Sequence, residues 1–110
     1  MFHETMPPCS LVLNDRSAGH DLKGHPESEE RIDQIRPFLA GNLSRIPVFP
    51  ASIDDLLRVH QQEYLFRLQG ISSDCRPGAV AFLDPDTYVT PRSWEAALGA
   101  AGAAITAAKE

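Results

Sequence analysis

The sequence predicts an α/β protein with two short parallel strands and about four helices. Two apolar runs, at residues 10–14 and 45–49, have the length of buried strands and are bounded by polar residues or prolines. A stretch with helical apolar spacing follows each run, which is the order of elements that places strands in parallel. The last predicted helix, ending at Lys109, is apolar on every side, as expected of a helix packed on more than one face.

Composition limits the chain to one domain and excludes several function classes. Its 110 residues, 43% of them hydrophobic, can form one modest core. The formal charge of −5 argues against nucleic-acid binding, which requires clustered basic residues. No apolar run approaches the roughly 20 residues needed to span a membrane, and the N-terminus lacks the pattern of a secretory signal. We therefore expect a cytoplasmic chain with no nucleic-acid or membrane partner. Cys9 and Cys75 have no CxxC spacing and are interpreted as buried or incidental thiols.

The first third predicts a flexible N-terminus over residues 1–10, a strand over 10–14, a loop to Gly24 and then a helix. Ser28 is the predicted N-cap of that helix, with acidic residues in its first turn. Pro37 removes an interior hydrogen bond, so we expect a kink or a restart near Arg36. The residues predicted to form the buried stripe are Ile32, Ile35 and Leu39.

In the middle third, Gly41-Asn42 ends the first helix, and prolines on both sides keep the 45–49 strand short. Residues 52–55, SIDD, predict a capping box that opens a second helix. A third helix is predicted over 61–69 with Gly70 as its stop, followed by a loop over 71–81. The side chains predicted to point inward from these two helices are Leu56, Leu57, Val59, Tyr64, Leu65 and Leu68.

The last third predicts an exposed turn in front of the longest helix. Thr90 is the predicted N-cap, followed by Pro91 at the first helical position. Spacings of four, three and four place Trp94, Leu98, Ala101 and Ile105 on one apolar face. Ahead of the helix, residues 84–87, DPDT, form a rigid acidic turn that we interpret as a functional loop.

The residue types alone predict little chemistry. Among the histidines, no pair has the i, i+4 spacing of two ligands on one helix face. His20 and His25 share a loop with Asp21 and Glu27, which leaves a metal site open. Loop histidines held by backbone hydrogen bonds are the favoured interpretation. Asp84 and Asp86 are explained by turn formation, and no nucleophile or phosphate-binding motif is present.

Three stretches together resemble the N-terminal third of the histone deacetylase family, in the bacterial branch that includes acetoin-utilisation and acetylpolyamine deacetylases. They are HDLKGHPESEERI at 20–32, LLRVHQQEYL at 56–65 and LDPDTYVTPRSWEAALGAAGAAITA at 83–107. Each stretch alone is a weak signal, whereas their order and spacing over about a hundred residues are specific. The resemblance covers about residues 11–109.

The resemblance implies the N-terminal part of an arginase/deacetylase-like three-layer fold over residues 11–110. It also implies zinc-dependent hydrolysis of acetylated amines, either acetyl-lysine or acetylpolyamine. In that family the catalytic histidines, the zinc ligands and the catalytic tyrosine follow the helix that ends this chain. We therefore expect no catalytic or metal-binding residue here, no cofactor bound by this chain alone, and zinc in the complete domain. The chain stops at Glu110 without a helix stop signal, which we interpret as a segment whose catalytic portion is missing.

The resemblance assigns only peripheral residues to the substrate site. Asp86 matches the rim aspartate that holds the substrate backbone, and Arg31 matches the arginine that lines the internal channel. His25, Pro26 and Glu27 belong to the first loop of the rim. The sequence departs from the family pattern at Glu29, where proline is usual, and at Pro37 within the first helix.

Two functions remain open at this point. The chain is either a segment of a deacetylase that supplies rim loops and part of the sheet and is inactive alone, or a non-catalytic remnant that acts as a binding or oligomerisation module. An acetylated amine is a partner only of the complete domain. In the family, the strand that pairs with the second edge of the 10–14 strand comes just after the last predicted helix of this chain, which is rich in alanine. A chain without that neighbour is expected to form a homo-oligomer through the strand edge or the Trp94–Ile105 face.

Overall fold

The computed structural model describes residues 9–39 and 44–109. Within these ranges it contains both helices and strands, as the α/β prediction requires. The predictions for residues 1–8 and for Gly41-Asn42 lie outside them. No described helix has the combination of length and apolar character needed to cross a membrane. In chain order, the elements are β1 (Ser10–Leu11), α1 (Glu30–Ile35), β2 (Ser44–Arg45), α2 (Ile53–Leu57), α3 (Gln62–Asp74), β3 (Ala81–Asp84), β4 (Thr87–Val89) and α4 (Ser93–Lys109).

The first two strands pair in parallel, as predicted from the order of elements. Ser10 lies opposite Ser44 and Leu11 opposite Arg45, and the Ile46 N–H donates to the Leu11 carbonyl at 2.9 Å. Both strands are shorter than predicted. The chain leaves the sheet after Leu11 and turns towards α4, where the side-chain amide of Asn14 donates to the Ala96 carbonyl at 3.1 Å.

A β-hairpin contains the predicted acidic turn, and its first strand begins at the last residue of the predicted 71–81 loop. β3 and β4 are antiparallel, with Phe82 opposite Tyr88 and an irregularity in register before Asp84. The turn at 84–87 was predicted correctly, but the strands on either side were missed. Their aromatic and β-branched residues favour strands, yet each run is only three or four residues long. Pairing across the turn stabilises what neither run would form alone.

The first helix shows the predicted break and a different start. α1 ends at Ile35 and a 3₁₀ turn continues over Arg36–Phe38 with Pro37 near its start, as the missing N–H of proline requires. The prediction of Ser28 as N-cap was wrong, because Glu29 occupies the cap position. The Glu29 N–H donates instead to the Asp21 carboxylate at 2.8 Å. Ile35 is 50% exposed, so the predicted buried stripe is incomplete.

The next two helices confirm one local prediction and correct two others. The Ser52–Asp55 capping box is present in both directions, with distances of 3.1 and 3.2 Å. Leu57 and Val59 were predicted to be inside but are exposed, the latter by 79%. α3 continues through Gly70 to Asp74, because that glycine keeps a negative φ and does not form the left-handed stop. Of the predicted inward residues of α3, Leu65 is 2% exposed but Tyr64 is 46% exposed.

The last helix begins at Ser93, two residues after the first position predicted at Pro91, so Thr90 precedes the cap position, and its most buried face also differs from the prediction. The Thr90 hydroxyl accepts from the Arg92 N–H at 3.2 Å, and the Ser93 hydroxyl accepts from the Thr90 N–H at 2.7 Å. The fully buried positions of α4 are small: Ala96, Gly99 and Gly102. The predicted apolar face, made of Trp94, Leu98, Ala101 and Ile105, is half-buried. Small residues are required here because the Asn14 side chain approaches Gly99 and the Phe49–Ala51 backbone approaches Gly102. The Ala51 N–H donates to the Leu98 carbonyl at 2.9 Å.

Candidate functional site

Asp86 lies at the exposed tip of the hairpin between β3 and β4. The turn is ordered by its neighbour Asp84, whose carboxylate accepts from the Asp86 N–H at 2.8 Å and from the Thr87 hydroxyl at 3.0 Å. These two bonds, the backbone one first, lower the pKa of Asp84 from its ordinary value, so its carboxylate remains an acceptor. Asp84 therefore has the ordering role, and Asp86 remains exposed at the tip.

His25 connects the predicted rim loop, residues His25, Pro26 and Glu27, to this turn. Its Nδ1 atom accepts from the Glu27 N–H at 2.9 Å, and its Nε2 atom lies 2.8 Å from the Asp86 carbonyl oxygen. Because Nδ1 is an acceptor, the proton resides on Nε2, which donates to that carbonyl. The structure thus joins two predicted site segments that are 61 residues apart, while their role in substrate binding stays a prediction.

Arg31 extends from α1 back towards the rim loop. Its guanidinium forms an ion pair with the Glu27 carboxylate at 2.8 Å, and both side chains are 59% exposed. An ion pair this exposed contributes only about 0–1 kcal/mol, so it orients the two groups more than it stabilises the fold. Its predicted place in an internal channel is not tested by this contact.

Tyr88, which sequence reasoning did not identify, is the central residue of the site. It is 2% exposed, and its ring stacks on His20 with centroids 4.4 Å apart and planes 11° apart. His25 meets the same ring edge-on, at 4.8 Å and 72°. The Tyr88 hydroxyl donates towards the Glu27 carbonyl and lies 3.3 Å from that of His20. Burial raises the pKa of Tyr88, and the charges of nearby Asp21 and Glu27 add to this effect, so the phenol stays protonated.

His20 is held between this ring and the start of α4. Its Nδ1 atom lies 2.6 Å from the Ser93 hydroxyl, which also accepts from the Thr90 N–H at 2.7 Å. Burial lowers the pKa of His20, although the charges of Glu27 and Asp21 act in the opposite direction. The lowered pKa favours a neutral imidazole stacked on Tyr88.

The described contacts of the His20 and His25 rings are with a hydroxyl group, with backbone groups and with the Tyr88 ring. His25 therefore has the backbone hydrogen bonds that the sequence favoured over a metal site for this loop, whereas His20 bonds a side-chain hydroxyl instead. Within residues 9–39 and 44–109, no three His, Cys, Asp or Glu side chains are grouped so as to hold a metal ion. The described residues therefore do not fit zinc, which requires three or four protein ligands.

A cavity of about 540 Å³ lies behind the rim loop, between the hairpin, α1, α3 and α4. Glu27, Arg31 and Thr87 contribute polar groups to its wall. One oxygen of Glu29 is buried without a hydrogen-bond partner among the described residues. The mainly apolar part of the wall includes Val12, Leu13, Ile32, Leu68, Leu83, Trp94, Ala97 and Ala100.

Comparison with known proteins identifies the family. The sequence profile of the histone deacetylase domain matches residues 25–110. This chain belongs to the histone deacetylase domain family. The resemblance of the three sequence stretches is thereby confirmed, and the matched range contains the rim loop, the hairpin and α4. His20 lies just before that range, yet it contacts residues inside it.

Several curated deacetylases are similar to this histone deacetylase domain segment. Histone deacetylase 8 of Arabidopsis thaliana is 32% identical over 96% of the chain and 30% of its own length. A probable deacetylase of Methanothermobacter thermautotrophicus is 38% identical over 83% of the chain and 27% of its own length. A histone deacetylase-like amidohydrolase of Pseudomonas aeruginosa is 35% identical over 94% of the chain and 26% of its own length. The chain spans less than a third of each relative, and no solved structure matches it significantly.

Proposed function

We propose that the chain is the N-terminal part of a zinc-dependent deacetylase domain with an arginase-like three-layer fold, in which it forms the substrate rim. The observation that carries this proposal is the hydrogen bond from His25 Nε2 to the Asp86 carbonyl, 2.8 Å long. It places the rim loop and the aspartate turn side by side, as a shared binding surface requires. Acetylated amines, either acetyl-lysine or acetylpolyamine, are the proposed substrates.

The described residues would act by binding and orientation. Asp86 presents a carboxylate at an exposed turn whose backbone is held by Asp84 and His25. Such a carboxylate accepts charge-assisted hydrogen bonds from the amides of a bound substrate, and fixing the turn in advance lowers the entropy cost of binding. Arg31 and Glu27 border the cavity behind the rim, where their charges favour polar over apolar groups of a bound substrate.

Zinc bound in the complete domain would polarise the amide carbonyl of the substrate and activate water for this hydrolysis. Because the described residues bring no ligand set together, its ligands would come from elsewhere in the domain. The proposed contribution of this chain is therefore substrate binding rather than the bond-breaking step.

A non-catalytic binding or oligomerisation module is the second candidate function. Large apolar side chains are exposed, with Phe38 86% and Phe49 74% accessible. A surface of this kind is typical of a contact with another chain or another part of a domain.

A segment exchange tests the first proposal against the second. The isolated chain is expected to bind no stoichiometric zinc and to leave an acetyl-lysine reporter and an acetylated polyamine intact. Residues 9–109 should restore hydrolysis when they replace the aligned segment of the Pseudomonas aeruginosa amidohydrolase, to which they are 35% identical. The unmodified host is the control. A chimera that folds and binds zinc but hydrolyses neither substrate would favour the module, whereas activity of the isolated chain would contradict the proposed division of roles.

In that chimera, Asp86→Ala is expected to raise KM by about 10- to 100-fold, because hydrogen bonds to a charged group contribute roughly 1.5–3 kcal/mol. Thermal stability should change little, since the side chain is exposed. Asp74→Ala, which removes an exposed carboxylate at the end of α3, is the matched control. Unchanged kinetics with a large loss of thermal stability would instead make Asp86 a structural turn residue.

A further inference from the structure

Three aromatic rings join the rim loop to the hairpin, and we call them the His–Tyr–His stack: His20, Tyr88 and His25. The middle ring belongs to β4, two residues after Asp86, whereas both outer rings belong to the loop before α1. Tyr88 is buried to 2% exposure although it follows an exposed turn. The stack is therefore an interior connection between two surface segments.

Hydrogen bonds reinforce this connection at Glu27. Its carbonyl accepts from the Tyr88 hydroxyl, and its N–H donates to His25 Nδ1 at 2.9 Å. The same imidazole donates to the Asp86 carbonyl. A closed circuit results, running from Asp86 through β4 to Tyr88, then to Glu27, to His25 and back to Asp86. No member can shift without breaking a hydrogen bond or a ring contact.

We propose that Tyr88 is a positioning residue that fixes the rim loop and Asp86 as one rigid substrate-binding unit. This inference rests on the proposed function, because the unit is assigned to substrate binding there. Tyr88 itself is buried beneath the turn and acts through Asp86 and Glu27. A preorganised rim lowers the cost of ordering on binding, so its loss reduces substrate affinity without changing the chemical step.

Tyr88→Phe isolates this role. The substitution keeps the ring that stacks with the two imidazoles and removes only the hydroxyl that bonds the loop backbone. A single hydrogen bond corresponds to about a fivefold change in an equilibrium. Tyr64→Phe is the matched control, because Tyr64 lies on α3 and is 46% exposed.

The first measurement uses the full chain and needs no catalysis. Hydrogen exchange of the Glu27 and Asp86 amides, which donate to His25 and Asp84, reports the order of each side of the circuit. Tyr88→Phe should accelerate exchange at both amides by about fivefold, while amides within α3 and α4 stay within about twofold. Equal acceleration throughout the chain would show a general stability role and overturn the proposal, as would an unchanged Asp86 amide.

The second measurement uses the deacetylase chimera. Tyr88→Phe should raise KM about fivefold and leave kcat within about twofold, which is the pattern of lost uniform binding. Combining it with His25→Gln should raise KM by less than the product of the two single effects, because both break one circuit. A fall in kcat at constant KM, or fully multiplicative effects, would overturn the proposal. A chimera that folds and binds zinc but is inactive would contradict the proposed function, while the exchange measurement would still decide whether Tyr88 couples the two segments.

Discussion

Gly102→Ala is expected to destabilise the chain by about 2–3 kcal/mol, although alanine is the better helix former. A methyl group at this position would overlap the Phe49 carbonyl oxygen and lie 2.9 Å from the Phe49 carbonyl carbon and 3.1 Å from the Ala51 nitrogen. These are backbone atoms, so no side-chain rotation relieves the contact. α4 would have to separate from the segment after β2 and lose the 2.9 Å hydrogen bond between Ala51 and Leu98.

Gly70→Ala is the matched control, because this glycine lies inside α3 with nothing within 4 Å of an added methyl group. It should stabilise the chain by roughly 0.5–1 kcal/mol through helix propensity alone. Thermal unfolding at one fixed protein concentration measures both variants, with Gly102→Ala lowering Tm by roughly 10 °C or more. Equal stabilisation by both substitutions would show that the Phe49–Ala51 segment does not pack closely on α4.

The isolated chain is expected to form dimers or larger assemblies at tens of micromolar. Its radius of gyration is 16.5 Å, whereas a compact chain of this length has about 13 Å. Several large apolar side chains are exposed, and among the described strands β1 pairs only with β2, which leaves its other edge open.

Light scattering across a concentration series measures this association. The proposed contact is the Trp94–Ile105 face of α4 or the β1 edge. Ala101→Glu places a charge on the Trp94–Ile105 face itself, so it should shift the chain towards monomer. Ala104→Glu, exposed on the same helix but outside the Trp94–Ile105 face, is the control. A sharp monomer at high micromolar concentration with cooperative unfolding would show that the chain closes its core alone.

Short-range features could be predicted from the sequence because they depend on neighbouring residues. The Ser52–Asp55 capping box, the break at Pro37 and the hydroxyl bonds at the start of α4 all join residues within about one helical turn. The parallel pairing of β1 and β2 followed from the order of elements, which short connections and handedness restrict strongly. Motif spacing likewise identified the family, and it named His25 and Asp86 as separate rim candidates.

Tertiary structure alone decided which surfaces meet. Helical periodicity selected Trp94, Leu98 and their neighbours as the inward face of α4. The Asn14 side chain and the Phe49–Ala51 backbone instead cover Gly99 and Gly102, which are the more buried positions. Val59 is apolar but exposed, since burial depends on a partner surface that periodicity does not specify. The contacts of Tyr88 with His20 and Glu27 span 68 and 61 residues, too far for any local pattern to predict. The sequence by itself determined the helices approximately, the first strand pair and the family, whereas long-range packing formed the hairpin and brought the rim loop and the Asp86 turn together.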